Sequence, residues 1–193
     1  EINTKPLWKP NKNGRRILND IVSKIKKDGK GRDFDCVLGM SGGADSSYLL
    51  HLAVKELDLR PLVFHVDTGW NSRGAVNNIQ RMVEKLGVNL YTDVINWKEM
   101  ADVQRSFFKS GVPHIDLPQD IAYTSATYYW ANKHNIKYIL NGGNISTECV
   151  RNPKEWIYYA TDFIFLKAIL KRFGTMELKS FPISSIFYRK LYL

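Results

Sequence analysis

Seven consecutive residues, Ser41-Gly42-Gly43-Ala44-Asp45-Ser46-Ser47, concentrate groups that bind an anion. Gly42 and Gly43 can adopt positive φ and let a phosphate reach the backbone. Ser41, Ser46 and Ser47 add hydroxyl donors. Asp45 repels phosphate unless a cation lies between them, which points to Mg²⁺ bridging its carboxylate and a polyphosphate. The apolar run Asp35 to Met40 precedes the turn, and the apolar helix face of Tyr48 to Val54 follows it. A strand, a glycine-rich turn and a helix N-terminus leave unpaired N–H groups in a positive field. The turn lacks the Gly-Lys-[Ser/Thr] ending of a Walker A loop and the G-x-G-x-x-G dinucleotide fingerprint. Gly39-Met40-Ser41-Gly42-Gly43 does fit G-x-S-x-G, the nucleophile elbow of α/β-hydrolases. That alternative makes Ser41 a nucleophile, with Asp93, Asp116 or Asp120 and His134 as its partners. Against it, only about one helix precedes the motif, whereas the elbow's oxyanion hole uses a loop from an earlier strand.

These groups need a scaffold. Apolar residues at Ile17, Leu18, Ile21, Val22 and Ile25 predict a helix over Arg15–Lys27. Leu62-Val63-Phe64-His65-Val66 reads as a buried parallel strand, followed by Asp67-Thr68-Gly69-Trp70-Asn71 at its C-terminal end. A helix over Arg73–Leu86 ends at Gly87, and Val88–Ile95 is a third strand. Trp97–Ser110 is helical, residues 111–118 form a loop, and Asp120 is placed to N-cap a helix running to His134. Lys137–Leu140 is a fourth strand leading into Asn141-Gly142-Gly143-Asn144. Asp162–Phe173 is a helix, and Met176–Ile183 is extended. The alternation argues an α/β fold, a parallel sheet with helices on both faces. Ligands of such sheets sit beyond the C-terminal strand ends, so Ser41–Ser47 and Asp67–Asn71 share one rim.

The 193 residues fit one domain with a sizeable core. A hydrophobic share of 44% and a charged share of 24% describe an ordinary globular chain. No apolar run approaches the roughly 18 residues of a membrane helix. The two cysteines, Cys36 and Cys149, make no disulfide framework and fit a reducing, cytoplasmic setting. Net charge of +9 favours anionic partners. The densest basic stretch, Lys24 to Arg32, is read as a solvated helix face rather than a nucleic-acid patch. The chain opens on Glu1 and closes inside an aromatic run, so both ends read as cuts. The expected layout is a lead-in and helix over 1–33, a nucleotide-binding domain over 34–183, and the start of a C-terminal extension over 184–193.

Ser41-Gly42-Gly43-Ala44-Asp45-Ser46 resembles the PP-loop of the ATP pyrophosphatases, which cleave ATP to AMP and pyrophosphate while adenylating a carbonyl-type oxygen. Further segments resemble one branch, the N-acetyl sugar amidotransferases of bacterial lipopolysaccharide and O-antigen synthesis. They are His65–Ser72, Ser110-Gly111-Val112-Pro113-His114, Pro118-Gln119-Asp120, Ile139–Asn144 with Thr147-Glu148, Lys154-Glu155-Trp156, and Lys167-Ala168-Ile169 with Phe173-Gly174. Members of that branch usually carry a cysteine-bearing segment before the first helix, absent here, and continue well past Leu193.

The resemblance implies a Rossmann-like sheet of the adenine nucleotide α-hydrolase type. It also implies ATP-dependent conversion of a sugar's acetamido group to acetamidino, with the sugar nucleotide-linked. Ammonia would come from a separate glutaminase subunit, and ATP and Mg²⁺ would be required. Met40, Ser41, Gly42, Gly43, Ser46 and Ser47 would hold the pyrophosphate, and Asp45 the metal. His65 and Val66 would meet adenine through their backbone, with Asp67 near ribose or metal. Gly142, Gly143 and Asn144 would border the nucleotide on its other side. Asp120, Asn144 and Glu148 would hold the sugar or move ammonia's protons, although a helix cap accounts for Asp120, and a surface acid for Glu148, equally well. Arg73 and Arg151 are candidates for a sugar-nucleotide diphosphate. A tRNA-thiolating sulfurtransferase using Cys149 is the alternative on the same ATP chemistry. The sugar and the oligomeric state, a homo-oligomer included, stay open.

Overall fold

The computed structural model describes residues 10–143 and 162–183. Within them the elements are α1 (Lys12–Asp28), β1 (Cys36–Gly39), α2 (Ala44–His51), β2 (Pro61–Asp67), α3 (Arg73–Leu86), β3 (Leu90–Val94), α4 (Trp97–Ser110), α5 (Leu117–Lys133), β4 (Ile139–Leu140) and α6 (Phe163–Phe173). The strands form one parallel sheet in the order β3-β2-β1-β4. Pairing of Cys36 with Pro61 and of Gly39 with Phe64 sets the β1–β2 register.

Side-chain alternation along β2 divides the core. Leu62, Phe64 and Val66 join the cluster that carries Met100 and Phe107 of α4, Ile121 of α5 and Leu166 of α6. Val63 points the other way, to Leu50 of α2 and Ile79 and Val83 of α3. Helices therefore cover both faces, as expected of a continuous apolar parallel strand. Full burial of one such side chain contributes about 1.5–3 kcal/mol.

Local chemistry explains the boundaries. The Asn11 side chain accepts from the N–H of Asn13 and Gly14 at 3.0 and 3.1 Å, which starts α1 at Lys12, earlier than its apolar stripe. Of that stripe Val22 and Ile25 are buried, while Ile17, Leu18 and Ile21 stay exposed. Ser72 caps α3 through the Ala75 N–H, and Gly87 ends it at φ +66°. The first helical turn after the glycine-rich loop begins at Ala44, four residues before the apolar face that announced it. After His51 the same helix widens to a π stretch over Leu52–Glu56, and the Leu57 N–H bonds the Leu52 carbonyl at 2.8 Å.

Two expectations are corrected. Asp120 does not cap α5: the helix starts at Leu117 with Pro118 inside its first turn, Asp116 takes the cap position, and Asp120 lies within the helix. Residues 176–183 join no strand. Instead, two buried acids of α4 hold the segment. Glu99 accepts from the N–H groups of Lys179, Ser180 and Phe181 and from the Ser180 hydroxyl, and Asp102 accepts from the Thr175 N–H and hydroxyl. Among the described residues, no helix is long and apolar enough to cross a membrane.

Candidate functional site

The turn from β1 into α2 lies at the C-terminal rim of the sheet. Ser41 and Ser46 close it from inside, with hydroxyl oxygens 3.1 Å apart. One arrangement of hydrogens satisfies the set. The Ser46 hydroxyl donates to the Gly43 carbonyl and accepts from the Ser41 N–H, both at 3.3 Å, while the Ser41 hydroxyl donates to Ser46 and accepts from the Gly43 N–H. Gly42 is required twice over. Its φ is +78°, and a Cβ there would sit 2.3 Å from the Ala75 carbonyl oxygen of α3. Asn78 of α3 donates to the Gly42 carbonyl at 3.2 Å. Gly43 does not use its freedom to take positive φ: it is extended, at φ −80° and ψ 171°, as the N-cap of α2. No side chain caps that helix, so the N–H groups of Ala44, Asp45 and Ser46 in its first turn have no carbonyl one turn back.

The loop after β4 arrives alongside. A Cβ on Gly142 would lie 3.3 Å from the Asp45 carbonyl oxygen, so the absence of a side chain lets the chain pass against the first turn of α2. Gly143 donates to the Asn141 side chain at 2.9 Å. Asp45, Tyr48, Gly142 and Gly143 share a cavity of about 320 Å³ between these segments. Asp45 is exposed there and makes no ion pair or side-chain hydrogen bond with the described residues.

The strand end of β2 is held by a short polar chain. His65 Nδ1 lies 2.8 Å from the Met40 carbonyl and Nε2 lies 3.2 Å from the Asn71 amide nitrogen. The carbonyl requires a proton on Nδ1, which leaves Nε2 to accept from Asn71. The second Asn71 amide hydrogen goes to Asp67 Oδ1 at 2.9 Å, which also accepts from the Gly69 N–H. His65 and Asp67 are thus joined through Asn71, a residue the sequence placed on the rim without a role. The β1 register stops at Phe64, so His65, Val66 and Asp67 have no β1 residue opposite them.

On the opposite face, α5 leans over the same rim. Thr68 and Gln119 side chains meet at 3.4 Å. Tyr123 stacks on Phe64 at 5.5 Å between ring centroids, and a Cβ on Gly39 would be 2.5 Å from its hydroxyl oxygen. Tyr123 was not anticipated; its partner glycine is distant in sequence. Burial pushes its phenol above the usual range, against a lowering contact from Thr127. Asp120, one turn earlier, lies 3.3 Å from His114 Nε2. Burial raises its carboxyl, with His114 opposing and Asp116 adding to the rise.

Other candidates are separated from the loop. His134 packs edge-on against Phe34 at 5.4 Å and stacks with Trp130. Phe34 precedes β1 and Ser41 follows it, so they lie at opposite strand ends, about 20 Å apart at the strand rise. With its hydroxyl bonded to Ser46 and His134 at the far end, Ser41 has no Ser-His-Asp geometry through that histidine. Cys36 is fully buried, and burial with Asp35 beside it pushes its thiol up to about 12. That leaves it inert as a nucleophile. Asn144, Glu148, Cys149 and Arg151 lie outside the described residues, and Arg73 sits at the start of α3.

Residues 35–139, more than half of the chain, match the phosphoadenosine phosphosulfate reductase domain. The chain belongs to that family. The family's segment runs from β1 to the first residue of β4 and so contains the glycine-rich loop, the His65–Asp67 strand end and α5. An uncharacterised protein of Methanocaldococcus jannaschii is 29% identical over 86 residues. That match takes in 42% of this chain and 30% of the relative, so the chain spans under a third of that protein's length.

Three solved structures share the fold. NH₃-dependent NAD synthetase of Campylobacter jejuni, in complex with nitrate, superposes with a TM-score of 0.51 at 16% identity over 81% of this chain and 72% of that one. NMN synthetase of Francisella tularensis gives 0.51 at 18% over 67% and 55%. Glutamine-dependent NAD⁺ synthetase of Acinetobacter baumannii, in complex with ADP, gives 0.50 at 22% over 66% and 24%. The phosphoadenosine phosphosulfate reductase domain and this α/β fold together place the chain in the PP-loop ATP pyrophosphatase superfamily.

Proposed function

We propose that this chain is the ATP-cleaving domain of an N-acetyl sugar amidotransferase of lipopolysaccharide and O-antigen synthesis. In this reading it binds ATP and adenylates the acetamido oxygen of a nucleotide-linked sugar. The observation that carries the reading is the uncapped first turn of α2, flanked by the Asp45 carboxylate and closed by Gly142. N–H groups at such a turn favour negative charge. Asp45 would hold Mg²⁺. A single free carboxylate suits an ion that takes most of its ligands from phosphate and water, and no cluster of three or more metal-ligating side chains occurs among the described residues. The metal would supply neutralisation of charge on the phosphates.

The acetamido oxygen attacks the α-phosphorus as the bond to pyrophosphate breaks, giving an O-adenylyl imidate. Ammonia, delivered by a glutaminase partner, adds to the imidate carbon. AMP leaves with the oxygen, and the nitrogen's proton passes to a base, for which Asp120 beside His114 is available. The protein's contribution is positioning and charge stabilisation. The loop would orient the leaving diphosphate, and the β2 strand end at His65–Asp67, which runs beyond its pairing with β1, would meet the purine. The sulfurtransferase alternative rests on Cys149 alone, since Cys36 is buried and protonated.

The test is calorimetric binding of ATP with Mg²⁺ to this chain and to Asp45→Ala. One charge-assisted contact contributes about 1.5–3 kcal/mol, so affinity should fall by about tenfold or more. Pyrophosphate release is then assayed with nucleotide-linked N-acetyl sugars and ammonium salt. Wild-type protein that binds no ATP overturns the reading.

A further inference from the structure

Two tryptophans stand at the rim beyond β2 and β3, and the chain keeps both half exposed. Trp70 lies three residues after the end of β2, and Trp97 begins α4. Each is 49% exposed although their rings touch, with centroids 4.9 Å apart and planes inclined at 66°. The pair is firmly mounted. Gly69 has φ +83°, and a Cβ there would lie 2.5 Å from the Trp97 ring, so the absence of a side chain lets the loop pass against it. The Gly69 N–H donates to Asp67 Oδ1 at 2.9 Å, and the side chain of Asn71, the residue after Trp70, donates to the same oxygen. The Ile95 N–H donates to the Asp67 carbonyl, which ties the entry of α4 to this strand end. Asn96 then caps α4 through the N–H groups of Lys98 and Glu99. Met100, Val103 and Phe107 join α4 to the core, so holding the helix does not account for the exposed rings.

We propose that Trp70 and Trp97 form the platform that receives the pyranose ring of the acceptor's N-acetyl sugar, an inference that rests on the amidotransferase reading above. A pyranose carries hydroxyls around its rim and C–H groups on its faces. The electron-rich face of an indole attracts such C–H groups while apolar area leaves water. The inclination of the rings favours this ligand over a nucleobase. A planar base stacks flat on an aromatic face or between parallel ones. Rings in contact at 66° leave no slot between them and form a notch that suits a thicker, puckered ring. Position agrees with this chemistry. Thr68 meets Gln119 of α5, the neighbour of Asp120, so the platform and the Asp120–His114 pair belong to the sheet face covered by α4 and α5. The glycine-rich loop instead feeds α2, on the face covered by α2 and α3. Acceptor and leaving diphosphate then reach the α-phosphate from opposite faces of the sheet, which suits displacement with the two oxygens in line.

The test uses the whole chain with Mg²⁺ and calorimetric titration of UDP-N-acetylglucosamine, UDP-N-acetylgalactosamine, UDP and ATP. The sugar nucleotides are titrated alone and with saturating α,β-methylene-ATP. Wild type is compared with Trp70→Leu, Trp97→Leu, Trp70→Phe and Trp97→Phe, and with Phe108→Leu, an exposed aromatic near the other end of α4. Thermal melting checks that each variant folds, and the phenylalanine variants keep an aromatic face. The expected result is that wild type binds a sugar nucleotide more tightly than UDP, and that each leucine variant raises its dissociation constant about tenfold. Phenylalanine restores most of that loss, while UDP, ATP and the Phe108 control remain unchanged. Sugar-nucleotide affinity unaltered in both leucine variants, or no greater than that of UDP in wild type, overturns the platform, and ATP binding by the same sample leaves the adenylation reading in place. Equal losses for UDP or ATP assign the rings to a base and overturn it likewise. Tryptophan-dependent sugar binding without ATP binding keeps the platform and removes the adenylation reading. Wild type that binds none of these ligands removes both.

Discussion

Gly39 and Gly42 differ from the other glycines of the loop region in what stands where their side chains would be. At Gly42 it is backbone, the Ala75 carbonyl, and φ is positive as well. Gly42→Ala should therefore cost about 1–3 kcal/mol from the strained conformation, more with the clash, read by urea unfolding. At Gly39 it is the Tyr123 ring, which can turn away. Gly39→Ala should cost about 1–3 kcal/mol from overpacking and unstack Tyr123 from Phe64, visible as a changed near-ultraviolet circular dichroism signal. The placement of the serines and glycines in a turn between a strand and a helix was legible from local sequence. Asn71 was partly legible, since a side-chain amide four residues after Asp67 can reach back to it. Tyr123 was not, because its partner Gly39 is 84 residues away.

At the scale of elements, periodicity located what packs on the sheet. The bounds of α3 and α4 were read correctly because their apolar stripes and terminal glycines coincide with the caps. The start of α5 was misread because an acid that looked like a cap, Asp120, stands two residues after a helix-starting Pro118. Helix α4 hid more. Glu99 and Asp102 have the composition of a solvated face, yet they are 3% and 2% exposed and hold the segment after α6. Burial raises both carboxyls. The N–H groups of Lys179, Ser180 and Phe181 and the Ser180 hydroxyl outweigh this for Glu99, as the hydroxyl and N–H of Thr175 do for Asp102, and both end below the usual range. A carboxyl lowered on folding stabilises the fold above its unfolded value and ceases to do so as pH falls through its folded one. Melting temperature should therefore drop below the ordinary carboxylate range, with a shallower slope in Glu99→Gln. At neutral pH that variant should lose about 1–3 kcal/mol through unmet N–H groups.

For the whole molecule, the sheet order brings three segments to one rim: the loops after β1, β2 and β4. Strand alternation alone implied this arrangement. What alternation could not supply is that Trp70 and Trp97 meet, because that depends on how α4 approaches the loop after β2. Phe64 connects the levels, buried between the sheet and α5 and stacked under Tyr123. Phe64→Ala should cost about 3–5 kcal/mol, and on the proposed ATP-binding reading any affinity lost with it should be recovered at temperatures well below its lowered melting point. Calorimetry at two temperatures separates that outcome from a direct role in binding.

The π stretch in the helix after the glycine-rich loop has a consequence for how its sequence can vary in length. One additional residue in a helix shifts everything downstream by about 100° of rotation. Before the stretch, Leu50 faces α3; after it, Leu57 and Leu59 face Val22 and Ile25 of α1. The wide turn is thus a phase adjuster that lets one short helix serve two cores. Removing a single residue from it, such as the exposed Lys55, would close the wide turn to an ordinary α turn and keep the Leu57 side against α1, whereas removing one from the regular turns before it would rotate that side away by about 100°. Removing one residue from the loop between α1 and β1 would disturb no such phase.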